Sequence, residues 1–171
     1  MPFRTDGGHL FEVSTTLRAD AYSVEGIDQN DPASFGAADS GFTGRVFPQT
    51  AITWRYPLVS AGAGYSQLVE PIVSLVAGPD SGNPGRIPNE DSQDFEFDET
   101  NLFRPNRLPG YDRVDTGQRL NYGLRTGVWG MGGGSSSLFL GQSLRAREGS
   151  AFTAGSGVED ELSDMVGRLQ V

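Results

Sequence analysis

Residues 87–129 read IPNEDSQDFEFDETNLFRPNRLPGYDRVDTGQRLNYGLRTGVW. The first part is acidic: Glu90, Asp91, Asp94, Glu96, Asp98 and Glu99 fall within ten residues with no basic residue among them. Such a run does not enter an ordinary core, because each buried charge would need a partner. The second part alternates. Leu120, Tyr122, Leu124, Thr126 and Val128 face one way, and Arg119, Asn121, Gly123, Arg125 and Gly127 the other. A period of two over so many residues specifies a long, two-faced strand. A polar loop running into such a strand is the unit that repeats along the chain.

Working outward, the same alternation predicts six strands, roughly at residues 9–24, 45–56, 64–77, 116–129, 136–145 and 160–171. A short turn is expected at residues 60–62, and a long loop over residues 78–115. The third strand alternates less cleanly, since Leu68, Ile72 and Val76 interrupt its polar face, and Pro71 removes a ladder hydrogen bond or marks a bulge. GMGGGS at residues 130–135 is a tight turn. No helical stripe of useful length appears. The strands exceed the common globular length of about five or six residues, and their connections alternate long and short. Membrane β-barrels join strands in this way, with long loops outside and short turns on the periplasmic side. Tyr22, Trp54, Tyr56, Tyr65 and Trp129 near strand ends suit an aromatic girdle. The expected fold class is therefore all-β, an antiparallel up-and-down transmembrane β-barrel segment. Six strands are too few to close a barrel, which begins at about eight, so an incomplete arc of a larger barrel is expected.

Composition narrows the function classes. The chain has 171 residues, a net charge of -9, 24 glycines, no cysteine, and 13 basic residues that are all arginine. The acidic balance argues against nucleic acid as a partner. The lack of cysteine removes disulfides and thiolate metal sites. No apolar run is long enough for a transmembrane helix, and the start MPFRTDGGHL carries no apolar signal core.

In a barrel the polar face lines a wet lumen. The residues expected there are Arg18, Arg55, Glu70, Arg119, Asn121, Arg125, Asp164 and Arg168, with arginines pairing to Glu12, Asp20, Glu70 and Asp164. The acidic loop residues Glu90, Asp91, Asp94, Glu96, Asp98 and Glu99 could offer oxygens to a hard cation. The glycine that an EF-hand needs is missing, however, and a solvated extracellular loop is the better reading. Phe95, Phe97, Leu102 and Phe103 are too apolar for a free loop and are expected to fold it over the barrel mouth. His9 is the single histidine and has no carboxylate cluster beside it. No nucleophile elbow, catalytic triad or P-loop is legible, so no catalytic residue, metal site or cofactor is expected.

The segments LVEPIVS (68–74), RIPNEDSQDFEFD (86–98), NLFRPNRLPGYDR (101–113), RLNYGLR (119–125), LGQS (140–143) and GSGVEDELSDMVGR (155–168) resemble, in order, the LPS-assembly protein LptD family, in an alphaproteobacterial-type version. That family is also called the organic solvent tolerance proteins. The resemblance covers roughly residues 45–171. It implies a piece of the C-terminal outer-membrane barrel that inserts lipopolysaccharide into the outer leaflet. It also implies a plug lipoprotein of the LptE kind in the lumen, a periplasmic bridge of the LptA kind, lipopolysaccharide as cargo, and outer-membrane lipid around the wall. The resemblance is to mid-barrel, without the periplasmic domain or the gate strands, so independent transport is not expected. Two alternatives stay open: a passive porin-like channel, and a soluble antiparallel β binding domain with a closed two-sheet core.

Overall fold

The computed structural model describes residues 2–25, 41–87, 89–91, 95–147 and 152–171. Among these, eight strands form one antiparallel sheet: β1 (Pro2–Arg4), β2 (Leu10–Val24), β3 (Gly41–Arg55), β4 (Leu58–Ala61), β5 (Tyr65–Ala77), β6 (Gln118–Gly130), β7 (Ser135–Arg145) and β8 (Val166–Gln170). Their order is β1-β2-β3-β5-β6-β7-β8, with β4 paired to β5. Sequence neighbours are thus spatial neighbours, an up-and-down arrangement. The sheet is open, with β1 and β8 at its ends.

The structure adds two strands to the six expected, β1 and β4, and shifts the start of two others by more than two residues. The second strand begins at Gly41 rather than at residue 45. Residues 58–61, expected to lead into a turn, form β4 and continue the edge of β3 along β5: Thr50–Arg55 pair with Ile72–Ala77, and Leu58–Ala61 with Ser66–Val69. The break falls at residues 56–57, where the Tyr56 amide donates to the Pro71 carbonyl at 3.1 Å and Pro57 has no N–H to give the ladder. The turn itself shrinks to residues 62–64, closed by Gly62 N–H to Tyr65 O at 2.9 Å. The last strand starts at Val166, not at residue 160, and is preceded by an isolated Leu144–Leu162 bridge. Residues 160–165 instead belong to a turn, in which Asp164 N–H donates to Gly157 O at 2.7 Å.

Antiparallel register carries side-chain parity across the ladders. Arg18 lies opposite Phe47, Ser74 opposite Asn121, Asn121 opposite Ser143, and Phe139 opposite Arg168. One face is therefore polar from β2 to β8. The other carries Leu17, Val46, Leu75, Leu124, Leu140 and Leu169, each 42–72% exposed. The short connections at residues 5–9, 62–64 and 131–134 gather at one end of the sheet, and the long connections at the other.

The buried core lies between the polar face and the 78–117 connection. Ile72, Leu102, Phe139 and Val166 form it, with Phe97 and Phe103 packed alongside. The loop aromatics therefore press onto the strands rather than only capping an opening, which corrects the expectation above. The reason is a hollow in the sheet. Gly123 and Gly141 pair directly; a Cβ on Gly123 would sit 2.9 Å from the Phe139 ring, and one on Gly141 would overlap Leu102 Cδ2. Two residues without side chains make room for the leucine. Ile72, which had disturbed the alternation, is the wall of that hollow.

Candidate functional site

The covered face is built from arginines grouped around single carboxylates. Near the long-loop end, Asp20 on β2 takes Arg18 Nε at 2.7 Å and Arg45 Nη2 at 2.5 Å. Arg45 also donates to the carbonyls of Gly82 (3.0 Å), Asp112 (2.8 Å) and Tyr111 (2.8 Å). Tyr22 donates its hydroxyl to the Tyr111 carbonyl at 3.0 Å. Midway along the sheet, Glu70 is shared by Arg55 at 2.7 Å and Arg125 at 2.9 Å.

Between these two groups sits the most buried cluster. Asp115 closes the long connection and is fully inaccessible, in contact with Arg107 (Nε, 2.7 Å), Arg119 (Nη1, 3.1 Å) and Arg145. Its backbone is held as well: its N–H donates to Asn106 Oδ1 at 2.9 Å, and its carbonyl accepts from Gln49 Nε2 at 3.1 Å. One carboxylate faces three guanidiniums. Backbone carbonyls take part of the excess charge, since Arg119 donates to Arg104 O at 2.8 Å and Pro105 O at 2.5 Å, and Arg145 to Thr116 O at 3.0 Å. Aromatic faces take more. Arg107 lies over Phe97 (5.8 Å) and Phe152 (5.2 Å), and Arg145 over Phe152 (5.4 Å). Burial alone would raise the Asp115 carboxyl, but the three guanidiniums outweigh it and hold the group below the usual aspartate range. Burial depresses the Arg107 guanidinium, and Asp115 partly offsets this.

The expected polar residues are distributed as follows. Arg18, Arg55, Glu70, Arg119, Asn121, Arg125 and Arg168 all lie on the loop-covered face. Asn121 Oδ1 accepts from Ser143 Oγ at 2.7 Å. Asp164 is the exception, because its segment is a turn. Arg168 pairs with Glu99 of the loop at 3.0 Å, not with a strand carboxylate. Tyr22 and Trp129 also fall on the covered face, opposite Thr43 and Ser66, so they are not part of an outward girdle. Trp54 and Tyr56 stack in line with His9, whose ring lies 4.3 Å from Tyr56 and accepts a hydrogen bond from Trp54 Nε1 at 3.2 Å.

The acidic loop residues act singly. Asp98 caps a turn through Thr100 N–H (2.8 Å) and Asn101 N–H (3.1 Å), and these bonds hold its carboxyl low against the opposing effect of burial. Asp91 accepts the Asp112 N–H at 2.5 Å and fills the space beside Gly110, whose φ of 78° follows Pro109 in the turn. Glu90 N–H donates to Asp112 Oδ2 at 2.7 Å, Asn101 Nδ2 donates to the Glu96 carbonyl at 2.7 Å, and Glu99 holds Arg168. Asp94 lies outside the described residues. Among those described, no three His, Cys, Asp or Glu side chains come together as a metal site. Arg107 and Asp115, the centre of the arrangement, were not singled out from sequence. The available signal was NRLPGYDRVD at residues 106–115, where arginine and aspartate alternate around a proline-glycine turn.

An open up-and-down sheet with one exposed apolar face and one arginine-rich face covered by its own loop defines the class: an all-β, two-faced antiparallel sheet. The family model described as LptD, LPS transport system D, matches residues 1–171. The LPS-assembly protein LptD of Alcanivorax borkumensis is 33% identical over 129 residues, which cover 74% of this chain and 15% of that relative. The chain belongs to the LptD family, and it spans only a small part of the length of the relative it matches.

Proposed function

We propose that this chain is part of the wall of an outer-membrane β-barrel that receives lipopolysaccharide and inserts it into the outer leaflet of the Gram-negative outer membrane. The observation that carries the reading is the two-sidedness of the sheet. A soluble monomer rarely exposes a large contiguous apolar patch, yet Leu17, Val46, Leu75, Leu124 and Leu140 lie exposed on one face. That face meets outer-membrane lipid, and the long connections point outward from the cell. The arginine layers and the folded loop line the lumen, where a plug lipoprotein of the LptE kind sits, and a bridge of the LptA kind delivers the cargo from the periplasm. No catalytic step is required of the chain.

The test uses the complete barrel protein in lipid bilayers, with single spin labels at Leu75, Leu124 and Leu140 and at Thr53 and Ser137. Labels on the first group should be relaxed by oxygen and shielded from a water-soluble nickel chelate, with the reverse for the second. Equal chelate access on both faces would sink the membrane reading. A porin-like channel would need an open lumen, and the loop packed on Ile72, Gly123 and Gly141 argues against it. A high single-channel conductance in planar bilayers would revive that alternative.

A further inference from the structure

We propose that the long-loop end of this wall holds a binding site for a phosphoryl group, centred on Arg113. A cavity of about 600 Å³ opens there, lined by Arg45, Arg113, Asp80, Asn83 and Thr116 among others. A smaller one of about 70 Å³ shares Asp80 and Thr116 with it and adds Arg145 and Arg147. Four arginines and one carboxylate thus line the two neighbouring cavities among the described residues, in a chain whose net charge is -9.

The partners of these groups sort them. Arg45 is committed to Asp20 and to three carbonyls. Asp80 is committed to Arg147 at 2.9 Å. Asn83 uses both ends of its amide on the Val114 backbone, each at 2.8 Å, and so fixes the cavity wall instead of facing a ligand. Among the described residues Arg113 has neither an ion pair nor a hydrogen bond, and its Nη1 is buried without a partner, as is Arg145 Nε. A buried donor left unmatched is costly, and an anion seated against the Arg113 guanidinium supplies the acceptor it lacks. The forked guanidinium suits a phosphoryl group, whose several oxygens accept from more than one arginine at once. The ligand class is therefore a phosphoryl group, either esterified on a glycolipid passing the wall or free as inorganic phosphate. Naming lipopolysaccharide as its source rests on the function proposed above; the anion site does not.

The experiment uses the complete barrel with its partner proteins in detergent. Calorimetric titrations compare inorganic phosphate, lipopolysaccharide, and lipopolysaccharide stripped of its phosphates, for the wild type, Arg113→Gln and Arg113→Lys. The expected result is that the wild type binds intact lipopolysaccharide about tenfold more tightly than the stripped form, that Arg113→Gln abolishes this preference, and that Arg113→Lys keeps part of it. Heat-modifiable gel mobility checks that each variant is folded. If Arg113→Gln does not fold, competition by inorganic phosphate against intact lipopolysaccharide on the wild type reads the same site. An undiminished preference in Arg113→Gln, in protein that still assembles lipopolysaccharide, overturns the site and leaves the proposed function standing. A wild type that assembles no lipopolysaccharide overturns the proposed function, while Arg113-dependent binding of inorganic phosphate alone would still support the site and identify free phosphate as its ligand.

Discussion

Asp115 is the residue on which the inner face depends most. Its two carboxylate oxygens are the only anionic partners of Arg107, Arg119 and Arg145 among the described residues. Asp115→Asn keeps the shape and removes the charge, leaving three guanidiniums in one buried space. Breaking a buried pair in this way costs about 3–5 kcal/mol, to be read from urea unfolding of the refolded complete barrel in detergent. Adding Arg107→Gln should recover part of the loss, because it removes one of the repelling charges; no recovery would mean that repulsion is not the cause. A pH dependence follows with a definite sign. The folded carboxyl lies below its unfolded value of about 3.9, so its contribution is fully present above that pH and is lost as pH falls through the lower folded value. Hydrogen-exchange protection of residues 104–115, taken relative to the intrinsic exchange rate at each pH, should therefore stay high above about pH 4 and fall as the pH drops below it, and Asp115→Asn should remove that change. The cluster was hard to see in sequence because its members come from a loop and from two strands that are neighbours only after pairing. Arg119 was legible as one of an alternating set, but its partner was not.

Among the elements, the strands were the most legible part, since a period of two survives in β2, β6 and β7 without help from neighbours. β4 was missed because Pro57, followed by the small residues Ser60 to Gly62, reads in sequence as a turn, although the ladder to β5 resumes at Leu58 in the same register. The start of β8 was misplaced because the polar alternation of residues 160–165 continues the strand pattern, although that segment folds back on Gly157. The seat of the long loop was not visible either, since it depends on two glycines on different strands meeting in register. That seat is testable. Gly141→Val would drive a side chain into Leu102, and Leu102→Ala would leave a cavity costing about 2–5 kcal/mol. Both should speed trypsin cleavage after Arg107 in the folded barrel, while Gly167→Val, next to Leu140 on the outward face, should not. Equal protection of the loop in all variants would show that the hollow does not hold it. The outward face has its own prediction. Leu124→Arg at mid-strand should destabilise the barrel in lipid by about 2–4 kcal/mol, as charges near a bilayer midplane do, and far less in urea-containing aqueous buffer.

For the molecule as a whole, the decisive feature is an open sheet. β2 is paired by β1 only at Leu10–Glu12, so the outer edge of residues 13–24 presents its N–H and C=O groups to no neighbouring strand among those described. On the opposite side, β8 has β7 as its single neighbour. In water such edges are tolerable, since solvent satisfies the backbone. In hydrocarbon each unmatched group costs several kcal/mol, and only closed barrels or helices avoid that cost. Charge reinforces the argument. Seven arginines gather around Asp20, Glu70 and Asp115, an excess of four positive charges along one wall. An enclosed lumen balances such a wall with opposing groups or with an anionic occupant. Residues 1–171 on their own, refolded in phospholipid vesicles, should thus acquire β-structure by circular dichroism yet give no heat-modifiable band. The complete barrel should give both. A compact, heat-modifiable species from the isolated chain would mean that it closes by itself or with copies of itself. The unpaired edges of β2 and β8 would then be partners for each other rather than for further strands of a larger wall.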